Sequence, residues 1–132
     1  IISTVERFVT QTGVWEPMAD LPRRRHGHGV ATLDGDLYVV GGQTSFAGTE
    51  LSSALRLDSQ TGAWTEIAPL SAPRFDVAVA VLQGKLYACG GLPTTSTVEC
   101  YDPRTGEWAA VASMGLARES PCVVALDGNP KN

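Results

Sequence analysis

The chain is poor in the features that several large functional classes need. It has 10 Lys and Arg against 14 Asp and Glu, for a net charge of −4 over 132 residues. That balance leaves no basic stripe for nucleic acid. The short run Arg23, Arg24, Arg25 reads instead as a solvated loop between strands. No apolar segment approaches the roughly 20 residues a bilayer-spanning helix requires, so no membrane partner is expected. The opening IISTVERFVT has no basic start followed by an apolar core, and it is not read as a signal peptide. Cysteines are few and odd in number: Cys89, Cys100 and Cys122. Their spacing matches no zinc pattern, and each lies in an apolar or strand-like stretch. They are therefore expected to be buried, reduced thiols of a cytoplasmic protein.

Glycine is abundant, with 14 residues against 8 prolines, and it falls at fixed intervals. Trp15, Trp64 and Trp108 are 49 and 44 residues apart, each after a Thr-Gly turn: TGVW, TGAW, TGEW. The pairs Gly41-Gly42 and Gly90-Gly91 are also 49 apart. Arg25, Arg74 and Arg118 each precede a glycine by ten residues. These markers hold one register along the chain, so it is an array of repeats.

Each repeat reads as four strands. The first is a continuous apolar run, Val77 to Leu82, matched by Gly29 to Leu33 and by Cys122 to Leu126. A tight turn at Gln83-Gly84 or Asp34-Gly35 leads to the second, KLYACGG or DLYVVGG. A loop of unequal length precedes the third: TVECYD, SALRLD or STVERF. The turn DPRTG or DSQTG joins it to the fourth, which starts at the tryptophan. Asp58 and Asp102 are expected to accept the turn amides.

The run VAVAVL lacks the alternation of a strand with one wet face. A four-stranded sheet with two apolar faces cannot bury both alone; stacked on like units, it can. The first strand should then be dry on both sides, and each tryptophan should lie between neighbouring sheets with its N–H bonded to an acceptor. Period, strand content and radial packing predict an all-β propeller of four-stranded antiparallel blades. The expected division is residues 1–22 as the third and fourth strands of one blade, 23–71 and 72–115 as full blades, and 116–132 as a first strand. That makes eleven strands, or about 2.75 blades. The array is read as an incomplete propeller, a fragment of a larger one, whose open blade edges could support self-association.

Nothing in the chain looks catalytic, and neither a cofactor nor a metal is called for. His26 and His28 fall on one face of a strand, but Phe75 and Val77 take their places in the next repeat. They are read as strand residues rather than ligands. The glycine pairs precede no helix, so they do not form a phosphate cradle. Equivalent positions would carry Arg25, Arg74 and Arg118 to one rim, either as structural donors to carbonyls or as a ring of cations.

The ordered set Arg74, Gly84, Leu86-Tyr87, Gly90-Gly91, Val98-Glu99, Tyr101-Asp102 and Thr105-Gly106-Glu107-Trp108 resembles the kelch repeat. Departures are small: Leu57 and Phe8 stand at the Tyr101 position, and Val9 at the Asp102 position. The style is most similar to the kelch domain of kelch-like (BTB-kelch) adaptors of cullin-3 ubiquitin ligases. That resemblance implies a protein-recognition module, with cullin-3 reached only through a BTB domain that this chain does not contain. It implies that an acidic peptide would meet Arg24, Arg25, Arg74 and Arg118, the residues after the glycine pairs (Gln43 and Leu92), and Ser53 and Thr97 before the third strands. Other members of the same fold imply other roles: an actin-binding scaffold, a copper radical oxidase or a sialate epimerase.

Overall fold

The computed structural model describes residues 1–94 and 96–126, and every regular element in it is a strand. A hairpin comes first, β1 (Val5–Val9) with β2 (Val14–Met18). A four-stranded sheet follows, in the order β3 (Gly29–Leu33), β4 (Asp36–Val40), β5 (Ala54–Leu57), β6 (Trp64–Ile67). A second has the order β7 (Ala78–Leu82), β8 (Lys85–Cys89), β9 (Val98–Asp102), β10 (Glu107–Val111). All pairings are antiparallel and sequential, as in propeller blades.

Local chemistry sets these strands. The β3–β4 and β7–β8 turns place Asp34-Gly35 and Gln83-Gly84 at positive φ, as a two-residue hairpin turn of this twist requires. At the β5–β6 and β9–β10 turns, Asp58 accepts the amides of Gln60 and Thr61, and Asp102 accepts that of Arg104. The Thr61 and Gln60 amides hold the Asp58 carboxyl below its ordinary range, and the Arg104 amide does the same for Asp102.

The blades bury their flat faces on each other. Val40, Ala54, Leu70, Val77 and Ala88 form one cluster between the two sheets; Leu33, Tyr38, Leu86 and Tyr101 form another, against Trp108. A third, of Leu21, Val39 and Leu55, joins the first sheet to Val5 of the hairpin. Trp64 and Trp108 act as seam clasps. Trp64 Nε1 donates to Ala19 O at 2.8 Å, and Trp108 Nε1 to Ala68 O at 2.7 Å, each reaching the preceding unit. Trp15 is 65% exposed.

Three expectations need correction. The apolar first strands are not the driest. Most of β7 is half-buried and Val30 of β3 is exposed, whereas β4, β5, β8 and β9 carry the buried residues. Each first strand is an edge strand, and on one side of each blade no complete sheet lies against it among the described residues. Among the described residues there are ten strands rather than the expected eleven, because residues 121–126 have no strand pairing. Val123 to Ala125 line one cavity with Ala80, Leu82, Tyr87 and Cys89, but no second strand stands beside them among the described residues. The rest of the expected 116–132 strand unit, residues 127–132, lies outside the described residues. Finally, Cys89 and Cys100 are buried, but Cys122 is exposed on that unpaired segment.

Candidate functional site

Each blade builds the same piece of rim where its second strand ends. After the glycine pair the chain bridges back to the residue that follows the repeat arginine. Gln43 exchanges both backbone hydrogen bonds with His26, and Leu92 does so with Phe75. The glycine pairs permit this approach. At Gly42 (φ 94°) a Cβ would lie 2.7 Å from His26 O, and at Gly91 (φ 80°) 2.7 Å from Phe75 O. Gly42 N–H also donates to Arg74 O at 2.7 Å and Gly91 N–H to Arg118 O at 3.3 Å, so each rim unit is stitched to the next.

The repeat arginines plug the loops behind this rim. Arg74 is 1% exposed. Its Nη1 donates to Gly90 O at 2.9 Å and Thr97 O at 3.0 Å, and its Nη2 to Thr97 Oγ1 at 2.9 Å. Nε and Nη2 both reach Glu99 Oε2, at 3.1 and 2.9 Å. The second carboxylate oxygen, Oε1, accepts the Ser71 amide at 2.8 Å. A buried charge pair with both carboxylate oxygens hydrogen-bonded is the arrangement that tolerates burial. Arg25 is placed in the same way: Nη1 donates to Gly41 O at 2.9 Å and Nη2 to Ser53 Oγ at 3.2 Å. It is 5% exposed. Burial, with Arg23 nearby, pushes its guanidinium below the ordinary arginine value. The anticipated ring of exposed cations is therefore not what Arg25 and Arg74 form; each is sunk in its own blade, its Nη atoms taken up by carbonyl and hydroxyl groups of the loop between second and third strands.

The remaining expected residues divide in two. Gln43 is buried, with its side-chain amide 3.2 Å from His26 Nε2, and Ser53 and Thr97 serve the arginines. Arg24 and Arg118 are exposed and Leu92 is half-buried. Sequence reasoning missed the aromatic group beside them. Phe46, at the tip of the longer loop, is 83% exposed. Its ring lies 4.8 Å from that of His26, which meets Phe75 edge-on at 5.2 Å. The signal was the extra length of QTSFAGTELSS over LPTTST, with an aromatic in the insertion. His26 and His28 join no metal cluster: no three His, Cys, Asp or Glu side chains gather as ligands among the described residues.

A family model for the Kelch motif matches residues 24–71 and 73–115, one for each four-stranded sheet. The chain belongs to the kelch-repeat family. The search of curated proteins returns no match. Kelch repeats generally mediate protein–protein interaction, and a rim of exposed arginine and aromatic side chains on a stitched backbone suits that role.

Proposed function

We propose that this kelch chain recognises a protein partner through the rim that carries Phe46, His26, Phe75, Leu92, Arg24 and Arg118, and that the partner is a substrate of a cullin-3 ubiquitin ligase. The observation that carries the reading is the exposed Phe46 ring against the half-buried rings of His26 and Phe75, on a rim that also bears the exposed Arg24 and Arg118. Aromatic and arginine side chains are the residue types that dominate binding energy at protein interfaces. Both cations favour an acidic segment, because a guanidinium donates two parallel hydrogen bonds to one carboxylate. Arg25 and Arg74 position this surface from behind. The ligase assignment rests on the likeness of the Val-Glu-x-Tyr-Asp motif to that of BTB-kelch adaptors.

The test is affinity capture with the natural protein that contains this chain, compared with its Arg24→Ala/Phe46→Ala/Arg118→Ala variant. A partner bound at this rim should weaken by at least about tenfold, while cullin-3 is retained by both forms. A partner held equally by wild type and variant defeats the rim assignment. Captured material without cullin-3 defeats the ligase assignment.

A further inference from the structure

The fourth strand of each blade is an outer edge. β2, β6 and β10 take that place, each terminal in its sheet and paired on one side alone among the described residues. Blades stack through their faces, so this edge stays open whatever lies against either face. A row of unpaired N–H and C=O groups is a template for another strand, and sheets ordinarily guard it with charge or proline. The inner edges differ: β3 and β7 lie against each other, with Gly29 packed on Val77 and Val79.

Two of the three outer edges are guarded. After its tryptophan, β2 carries Glu16 and Pro17. After its own, β6 carries Thr65 and Glu66, with Pro69 just past its end. The equivalent residues of β10 are Ala109 and Ala110, followed by Val111, Ala112 and Ser113, and all of these are exposed. The one charge in β10 is at its first residue, Glu107. The strand is nonetheless fully formed, paired with β9 from Glu107↔Asp102 to Val111↔Val98. Its outward main-chain groups are therefore already held in strand geometry, with neither a proline nor a central charge among them.

A two-fold axis identifies the occupant. With a second copy laid antiparallel on β10 and Ala110 opposite Ala110, Ala109 meets Val111, Trp108 meets Ala112, and Glu107 meets Ser113. No like charges face each other, and every residue has its N–H. The same operation on β6 sets Glu66 against Glu66, and on β2 it sets Pro17 against Pro17. The first is repulsive and the second lacks ladder donors. We propose that the outer edge of β10 is a docking site for a second copy of this chain, joining two four-stranded blades into one continuous antiparallel sheet. Such a contact is isologous, with the same patch used by both copies. It lies on the outer side of the blade and does not rest on the reading of the rim.

The experiment uses the natural protein that contains this chain, with a photo-activated cross-linking residue in place of Ser113, made in light- and heavy-nitrogen forms and mixed. Mass spectrometry should find cross-links between a light and a heavy copy that land in β10, at or beside Glu107. Ala110→Glu introduces the residue that the preceding blade carries at Glu66. It should lower the yield at least about tenfold, because it sets two like charges face to face. Ala110→Lys should do the same. An equal mixture of the two variants should restore the links, because position 110 lies opposite itself, and that restoration shows that both variants fold. The proposal is overturned if no link between copies forms at up to about 100 μM, or if the links land outside β10 or on a different protein. It is equally overturned if Ala110→Glu leaves the yield unchanged, or if the mixture stays low. Binding of a partner at the rim is read separately, since Ala110→Glu leaves Arg24, Phe46 and Arg118 in place.

Discussion

Arg74 and Arg25 occupy equivalent places in neighbouring blades, yet the first engages Nε, Nη1 and Nη2 while the second leaves Nε alone. The backbone around them is the same: a glycine pair, a bridge to the residue after the arginine, and a polar residue opening the third strand. The difference comes from one side chain in β5 and one in the preceding loop. A repeat scaffold can thus keep its framework donors fixed while a single third-strand position decides whether the arginine's Nε finds an acceptor within its own blade.

The sharpest way to break this comparison is to remove each arginine in turn. Arg74→Met leaves the Glu99 carboxylate buried without its cation and should cost about 3–5 kcal/mol. Arg25→Met forfeits two hydrogen bonds and strands no carboxylate, and should cost about 1–2 kcal/mol. Urea unfolding of both variants measures the gap. Next in size is the stitching between the blades. Gly91→Ala forces a Cβ against Phe75 O at positive φ, and a loss of about 2 kcal/mol is expected, whereas Gly106→Ala, with open space around its Cβ, should cost less by the same assay.

The clasps should show a smaller effect. Trp108→Phe removes the bond to Ala68 O and should cost about 1 kcal/mol, while Trp15→Phe at an exposed site should stay within about 0.5 kcal/mol. Thermal melts of the pair compare a closed seam with an open face. The smallest effect is a change of slope. Burial, then Arg25 and His26, lower the pKa of His28, so folding favours the neutral ring. Its contribution is complete above the ordinary value of about 6.5 and is lost as pH falls through the lower folded value. His28→Val, the residue that the next blade carries at Val77, should flatten the stability profile on the acid side, checked by Tm at about pH 7 and pH 5.

The repeat, the strand order and the turns could all be read from the sequence. Tight turns, glycine pairs and tryptophan clasps are local requirements that recur, and Asp58 and Asp102 do accept turn amides as expected. Burial was harder to read. The apolar run at Val77 to Leu82 suggested a strand dry on both faces, but solvent access depends on what lies against each face, which no single strand encodes. The arginines were found by position and left with two readings, because a repeated cation looks the same whether it faces solvent or its own blade. The residue that separates the cases, Glu99 or Leu55, was visible in the alignment of the repeats, but its meaning needed the geometry of Nε. Phe46 lay in a loop whose register no repeat partner constrained.

A double-mutant cycle on Arg74→Met and Glu99→Leu, run beside one on Arg25→Met and Leu55→Ala, tests the two-arginine account most directly. A coupling of about 2–3 kcal/mol is expected for the first pair and about zero for the second. Equal couplings in the two blades would contradict it.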